Sequence, residues 1–279
     1  MKSRLVASIA ALALLLAGCS SGAATPTPTP TLISSTAPAV TAEPANLTIY
    51  GASSLKSALA RMKTAYEAAN PGTTLTISTD SSTALETKIE QGAPVDVFLS
   101  ADTANPQKLV DKGLAEGSLV KFAGNLLTVI VPAANPAGIQ TPADLAKTGV
   151  KVIAAGDAVP ITKYAIQLVA TLAKQPGYPA DFAAKYTANI VSKQDSVAAV
   201  VAQIELGEGD AAIVYVTDAK TSRKVAAIAV PAAANVPATY SGVVVKGSAN
   251  TSAAGAFMTW LAGPNGQSIL ASFGFLPAS

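Results

Sequence analysis

Residues 74–101 read TLTISTDSSTALETKIEQGAPVDVFLSA, and this stretch decides the fold class. Alternation of polar and apolar residues over 74–79 predicts a strand. Leu85 and Ile89 lie four residues apart, which predicts one face of a helix that a glycine and a proline then end. The run over 96–101 predicts a second strand. Strand, helix and strand in this order indicate a β-α-β unit, and therefore an α/β fold with mainly parallel sheets.

The same alternation continues on both sides of this unit. Upstream, 47–50 predicts a strand, and Leu55, Leu59 and Met62 then lie on one face of a predicted helix. Further strands are predicted over 126–131, 150–154, 211–216, 225–230 and 241–245. Further helices are predicted over 106–112, over 160–174, from 197 to the glycine at 207, and over 252–272 with a break near 263–264. No internal repeat interrupts this order.

Composition excludes several kinds of site. The 279 residues are 50% hydrophobic and 13% charged, with no histidine and one cysteine. Without histidine there is no Ser-His-Asp triad, no Cys-His pair and no imidazole-bound zinc. A single cysteine permits no disulfide within the chain. The high apolar fraction is typical of a globular protein and not of a disordered one.

The first residues predict an export signal. Lys2 and Arg4 precede an apolar run over 5–16, which is too short to span a bilayer. The sequence Leu-Ala-Gly-Cys that ends at Cys19 resembles the lipobox of bacterial lipoproteins. That resemblance implies a signal peptide over 1–18, cleavage before Cys19, and acylation of Cys19. The alternative is an ordinary signal peptide with a chance cysteine.

Loss of the signal peptide changes the charge balance. It removes two of the 19 basic residues, which leaves 17 basic against 17 acidic residues. A basic surface for nucleic acid is therefore not supported. Residues 19–45, rich in serine, threonine and proline, lack apolar periodicity and predict an extended tether between Cys19 and the folded part.

Small polar residues occupy three predicted junctions between a strand and a helix. They are GASS over 51–54, DSST over 80–83 and QDS over 194–196. In open α/β sheets, ligands bind beyond the carboxyl ends of the strands, where helices begin. Each helix N-terminus offers unpaired N–H groups and the positive end of a dipole, so these junctions favour an anion.

Plain helix capping is the simpler interpretation of each junction taken alone. Ser53 or Ser54 would cap the first helix, and Asp195 or Ser196 would cap the helix that begins at 197. More specific phosphate motifs are absent from the sequence, which has neither a Gly-Lys-Ser or Gly-Lys-Thr loop nor a Gly-x-Gly-x-x-Gly run.

The combination of motifs resembles a known family. From residue 47 onward the chain is similar to the molybdate-binding proteins of ABC importers. The matching stretches are GASSL over 51–55, SSTAL over 81–85, IEQGAPVDVFLSA over 89–101, GNL over 124–126, GDAVP over 156–160, GEGDAAIVY over 207–215 and FGF over 273–275.

This resemblance implies a fold and a set of ligands. The fold is a two-lobed periplasmic-binding-protein type II fold, with a mainly parallel sheet flanked by helices in each lobe. Lobe I would comprise 46–125 and 231–279, and lobe II 126–230, with hinges near 125–126 and 230–231. The implied oxyanion ligands are the hydroxyls of Ser54, Ser82 and Tyr215 and the backbone amides of Ile161 and Val197.

The implied function is transport and not catalysis. The chain would be an extracytoplasmic, lipid-anchored monomer that binds molybdate or tungstate and delivers it to an ABC permease. No cofactor, no catalytic residue and no direct protein ligand to molybdenum is expected. Two positions depart from the family pattern: Asp80, whose carboxylate we expect to point away from the anion, and Thr162, where the family usually has glycine.

Other functions remain open from the sequence. The same fold could bind sulfate or another tetrahedral oxyanion. A hydrolase is disfavoured because Ser54 and Ser82 have neither a histidine nor a Ser-x-x-Lys lysine to activate them. A sugar- or peptide-binding protein is also disfavoured, because aromatic residues are only 5% of the chain and Trp260 falls in a predicted C-terminal helix.

Overall fold

The structure, a computed structural model, describes residues 44–278. The predicted signal peptide, Cys19 and the tether up to residue 43 lie outside the described residues. Within 44–278, no helix is long and apolar enough to cross a membrane.

Strands and helices alternate along the described chain. The strands are β1 Asn46–Ala52, β2 Thr74–Asp80, β3 Val97–Ser100, β4 Ala115–Asn125, β5 Leu127–Pro132, β6 Val152–Ala155, β7 Ile190–Gln194, β8 Ala212–Tyr215, β9 Val225–Ile228 and β10 Ala238–Val245. The helices are α1 Lys56–Ala69, α2 Ser82–Glu90, α3 Ala104–Asp111, α4 Pro160–Leu172, α5 Phe182–Ala188, α6 Val197–Glu205, α7 Val216–Thr221, α8 Thr251–Ala262 and α9 Pro264–Phe273.

The first sheet combines strands from both ends of the described chain. Its order is β2-β1-β3-β10-β4. β1 runs parallel to β2 and β3, whereas β10 runs antiparallel to β3 and β4. The sheet therefore takes its strands from 46–125 and from 238–245, with the intervening chain folded elsewhere.

That intervening chain forms the second group of strands. β5 pairs antiparallel with both β8 and β9, and β6 pairs parallel with β7. A parallel bridge between Val152 and Ala211 links β6 to the residues just before β8. Across this bridge the order β7-β6-β8-β5-β9 has two parallel pairings followed by two antiparallel ones, the same pattern as the first sheet.

The α/β, two-lobed fold class is confirmed, and the sheets are mixed where we expected mainly parallel pairing. The antiparallel pairings all involve β4, β5, β9 or β10, the strands on either side of the two crossings between the sheets. A strand that leaves or enters a sheet at such a crossing is free to run against its neighbours, because no β-α-β connection fixes its direction. The predicted hinges at 125–126 and 230–231 stay a prediction.

Local patterns explain most of the elements. α1 buries Ala58, Leu59, Met62 and Tyr66, the face that the sequence predicts. Its predicted cap is wrong, because 53–55 forms a 3-10 turn and no side chain caps the helix that begins at Lys56. α2 begins as predicted, with Ser81 as N-cap, its Oγ accepting a hydrogen bond from the Ala84 amide at 3.2 Å.

Aromatic rings pack where the two groups of strands meet. The Tyr240 ring, on β10, lies edge-on to Phe122, Tyr215 and Phe275, with centroid distances of 6.2, 5.6 and 5.3 Å. Tyr215, at the end of β8, is also edge-on to Tyr164 of α4 at 6.4 Å. Edge-to-face contacts of this kind stabilise a core beyond simple burial. They place two tyrosine hydroxyls at the junction.

Candidate functional site

A small cavity lies between the ends of β1 and β2 on one side and the starts of α4 and α6 on the other. It measures about 10 Å³, enough for about one water-sized sphere. It is lined by Ala52, Ser53, Ser54, Ser81, Ser82, Ala101, Val159, Pro160, Ile161, Val197 and Tyr215. The structure therefore brings all five residues named from the resemblance to one place.

Ser54 reaches the cavity from the turn that follows β1. It is buried, and its Oγ lies 2.8 Å from the Tyr240 hydroxyl. Tyr240 is fully buried and accepts a hydrogen bond from Asn125 Nδ2 at 3.3 Å. Engagement with Tyr240 explains why Ser54 does not cap α1.

Ser82 is the first residue of α2 and is held by a backbone group. Its Oγ accepts a hydrogen bond from the Ala101 amide at 3.0 Å, across from the end of β3. Capping of the helix falls to Ser81, so the Ser82 hydroxyl is not spent on it. Because a serine hydroxyl both accepts and donates, Ser82 keeps its proton for a group in the cavity.

Two helix starts face the serines from the other side. α4 begins with Val159 as N-cap and Pro160 as its first residue, so Ile161 carries the first N–H group of the helix. α6 begins at Val197 after Ser196, whose Oγ accepts from the Ala199 amide at 3.3 Å. The Ile161 and Val197 amides thus belong to the set that a helix leaves without internal partners, at the positive end of its dipole.

Tyr215 completes the lining from the end of β8. Its side chain is buried, and its hydroxyl is a buried polar atom without a hydrogen-bond partner in the described part of the chain. Burial holds the pKa of Tyr215 well above its ordinary value, so the hydroxyl stays protonated. A buried hydroxyl left unpaired costs roughly 1–3 kcal/mol. Such a group is a donor that lacks an acceptor.

Neither departure from the family pattern disturbs the cavity. The Asp80 carboxylate accepts from the Ser81 amide at 2.8 Å and pairs with Lys88 Nζ at 3.0 Å, and Asp80 does not line the cavity. Thr162 donates to the carbonyls of Ala155 and Gly156, at 3.1 and 2.8 Å, within the first turn of α4. The β-branched residue therefore fits a regular helix start.

Among the described residues that line the cavity, none has a charged side chain. One ionisable group lies just behind it: Asp218, in α7, is buried and accepts from the Tyr215 amide at 3.2 Å. Burial raises the pKa of Asp218 to about 7. The field at the cavity therefore comes from amide and hydroxyl dipoles, with a carboxyl nearby that gains charge only around neutral pH.

Sequence reasoning missed the residues behind Ser54. Tyr240, Asn125 and Thr217 are buried and joined by hydrogen bonds, Asn125 Nδ2 donating to Thr217 Oγ1 at 2.8 Å. The predicted strand over 241–245 stops one residue short of Tyr240. A stronger signal was Asn125 itself, an amide side chain at the end of a strand where the chain was expected to cross between lobes.

The chemistry of this arrangement is one-sided. Every polar group aimed at the cavity from the predicted set can donate a hydrogen bond, and no carboxylate of the described residues lines it. Such a site can hold a small anion whose oxygens only accept hydrogen bonds.

Comparison with known proteins gives the family. Residues 47–276 match the model of the bacterial extracellular solute-binding protein family. The chain belongs to this family. It is a family of solute-binding proteins and not an enzyme class, and the substrate-binding proteins of ABC importers act outside the cytoplasm.

Relatives of this solute-binding protein narrow the comparison. It is 31% identical to the molybdate-binding protein ModA of Mycobacterium tuberculosis, over 82% of this chain and 84% of the relative. It is 30% identical to ModA of Haemophilus influenzae, over 83% of this chain and 90% of the relative. The resemblance to the molybdate-binding proteins is therefore confirmed.

Solved structures agree with the fold. The periplasmic molybdate-binding protein of Azotobacter vinelandii superposes with a TM-score of 0.71 at 25% identity, covering 84% of this chain and all of that one. The sulfate-binding protein SubI of Mycobacterium tuberculosis superposes with a TM-score of 0.75 at 21% identity, covering 84% and 87%. At that identity the second likeness concerns the fold alone.

Proposed function

We propose that this protein binds molybdate, and also tungstate, in the cavity between its two lobes and delivers the anion to an ABC permease. The observation that carries the proposal is the buried Tyr215 hydroxyl, a donor without a partner among the described residues, on the wall of a cavity that they line with no charged side chain. The serine hydroxyls and helix amides described above complete a set of donors.

The protonation state of the anion is central to this proposal. Molybdate and tungstate are tetrahedral dianions without a proton at neutral pH, so each oxygen only accepts hydrogen bonds. Phosphate keeps a proton near neutral pH and needs an acceptor for it. A hydrogen bond to a charged group contributes roughly 1.5–3 kcal/mol, so one mismatched contact lowers affinity by an order of magnitude or more.

Sulfate is the second candidate, because a donor-only site suits it equally in protonation state and the sulfate-binding protein SubI shares the fold. Size would separate the two anions. The shorter bonds of sulfate leave donors from the two lobes at stretched distances, and hydrogen bonds weaken as they lengthen.

Isothermal titration of the purified protein tests the proposal. We expect sodium molybdate and sodium tungstate to bind with affinities at least about 100-fold higher than sodium sulfate or sodium phosphate. Binding of sulfate without binding of molybdate would show that the assignment of the anion is wrong. A Ser54→Ala, Ser82→Ala double variant serves as the control, because it keeps the fold and loses two donors.

A catalytic role is not part of the proposal. The hydrogen-bond partners of the two serines are the Tyr240 hydroxyl and the Ala101 amide, and neither is a base that could activate a nucleophile. We propose that both serines act only as donors to the anion.

We further propose that Cys19 carries lipid and anchors the protein, as a monomer, on the outer side of the cell membrane. The lipobox-like sequence before Cys19 and the tether that follows support this. A Cys19→Ser variant should move the protein from the membrane fraction to the soluble fraction, whereas Ser20→Ala should not. Retention of Cys19→Ser in the membrane fraction would contradict lipid attachment.

A further inference from the structure

A chain of hydrogen bonds links the backbone at the crossing between the sheets to the anion cavity. The Leu126 amide donates to Asn125 Oδ1 at 3.0 Å. Asn125 Nδ2 lies 3.3 Å from the Tyr240 hydroxyl, which lies 2.8 Å from Ser54 Oγ. Asn125 and Tyr240 are fully buried, so water does not compete for these contacts.

The direction of every bond in this chain follows from its first member. A backbone N–H can only donate, so the oxygen of the Asn125 amide must face Leu126, and the amide NH₂ must face Tyr240. The Tyr240 oxygen therefore accepts from Asn125 and gives its single proton to Ser54 Oγ. Ser54 is left as an acceptor on its buried side and as a donor toward the cavity that it lines.

Ser82 is oriented without any such relay. Its Oγ accepts directly from the Ala101 amide, so a backbone group alone leaves its proton for the cavity. Of the two serines, only Ser54 depends on other side chains for its direction. Discrimination through this serine can therefore be changed by substitution at positions that do not line the cavity.

We propose that Asn125 and Tyr240 are positioning residues that hold Ser54 as a donor and thereby set the discrimination against protonated oxyanions. The inference rests on the proposed function, since it names what determines the selectivity of the same site. Neither residue touches the anion. Both act through the orientation of the Ser54 hydroxyl.

Two variants change the direction of the relay in different ways. Tyr240→Phe removes the proton that Ser54 accepts, so Ser54 is free to accept from a protonated ligand. Asn125→Asp keeps the shape and the bond from Leu126, but offers Tyr240 an acceptor where it met a donor. In that variant Tyr240 donates to the introduced carboxylate, accepts from Ser54, and leaves Ser54 as an acceptor toward the cavity.

The readout is the ratio of two dissociation constants, hydrogen phosphate over molybdate, measured by titration at one pH. We expect each variant to lower this ratio by at least about tenfold relative to the unsubstituted protein. The added charge in Asn125→Asp repels both dianions, so the ratio cancels that effect. A merely structural role for the two residues would weaken both anions and leave the ratio unchanged.

Thr217→Val is the matched control. Thr217 Oγ1 accepts the other N–H of Asn125 at 2.8 Å, so its loss disturbs the same buried group without reversing the relay. The ratio should then stay within about threefold of the unsubstituted value. Thermal unfolding checks that each variant is folded, and if Tyr240→Phe is not, Asn125→Asp alone decides.

The outcomes separate this inference from the proposed function. No molybdate binding by the unsubstituted protein would refute the proposed function, and the inference with it. Molybdate binding by the unsubstituted protein, with an unchanged ratio in the folded variants, would overturn the inference and leave the proposed function standing.

Discussion

The Tyr215 hydroxyl has opposite effects in the two states of the protein. Without an anion it is a buried donor that has no partner in the described chain, which lowers the stability of the folded state. With an acceptor-only anion in the cavity, the same hydroxyl makes a hydrogen bond to a charged group. A residue that costs stability in one state and adds affinity in the other is typical of a binding site.

Tyr215→Phe should separate these two effects. We expect the affinity for molybdate to fall by about 10- to 100-fold, while the free energy of unfolding without ligand rises by about 1 kcal/mol. Titration and thermal unfolding measure the two quantities. Tyr186→Phe is the control, because Tyr186 is buried in α5 and lines a different cavity. Unchanged molybdate affinity in Tyr215→Phe would remove this hydroxyl from the site.

Asp218 predicts a dependence of stability on pH. Its pKa in the folded protein is about 7, above the value of 3.8 that applies when it is unfolded. Between these values the unfolded chain has lost its proton and the folded protein has kept it. Stability therefore falls as the pH rises from about 4 to about 7, and the loss is complete above that range.

Asp218→Asn should remove this loss, since asparagine can still accept from the Tyr215 amide. At pH 8 we expect the variant to be more stable than the unsubstituted protein by on the order of 2 kcal/mol, with no difference at pH 4. Thermal unfolding across this range measures it. Asp181→Asn is the control, because Asp181 is exposed and pairs with Lys185 at the surface. Equal stability at pH 8 would contradict the burial argument.

At the level of residues, sequence and resemblance predicted which side chains share a cavity, and geometry supplied the rest. Ser54, Ser82 and Tyr215 could be named because each sits in a short motif at a strand end. Tyr240 could not, because its position depends on β10 pairing with β3 and β4 across more than a hundred residues. Nothing in the local sequence shows that its hydroxyl meets Ser54.

A hydrogen bond joins elements on opposite sides of the cleft. Thr83, near the start of α2, donates through Oγ1 to the carbonyl of Ala158, just before α4, at 2.6 Å. α6 also packs against the turn at 53–55. These contacts hold the two sides together beside the cavity, so the release of a bound anion requires them to break.

Thr83→Val should therefore speed release. Loss of one hydrogen bond of about 1 kcal/mol predicts a rise in the dissociation rate of molybdate of about fivefold. Displacement of radioactive molybdate by an excess of the unlabelled anion measures the rate. Thr87→Val, exposed one turn further along α2, should leave it unchanged. An equal rate in both variants would mean that the Thr83 bond does not restrain the closed cleft.

Elements with strong apolar periodicity were predictable, and weakly patterned ones were not. α1, α2 and the break between α8 and α9 follow the sequence pattern closely. β4, β7, α5 and α7 were not predicted. In β4, most positions before the last four are exposed or half-buried at an edge, so alternation is weak, and pairing with β10 creates the strand. α5 and α7 are too short for periodicity to indicate a helix.

The two crossings between the sheets are tied to each other. The Asn235 side chain accepts from the Leu127 amide at 3.0 Å and donates to the Leu127 carbonyl at 2.8 Å. A single side chain thus joins the start of β5 to the segment that leads into β10. We expect the two crossings to move as one hinge when the cleft opens.

The size of the cavity predicts a change in shape on binding. Room for about one water-sized sphere is too little for an anion to enter while Thr83 holds Ala158 across the cleft. We therefore expect the ligand-free protein to be more open on average, and molybdate to lower its radius of gyration in small-angle X-ray scattering. Sodium chloride at equal ionic strength should not. Identical scattering with and without molybdate would contradict closure.

The most direct test of the binding site is anomalous diffraction at the molybdenum absorption edge from a crystal grown with molybdate. The account predicts one strong peak between the two lobes, with anion oxygens within hydrogen-bond distance of the Ser54, Ser82 and Tyr215 hydroxyls and the Ile161 and Val197 amides. A well-ordered crystal with no peak in this cavity, or with molybdenum bound only elsewhere, would contradict it.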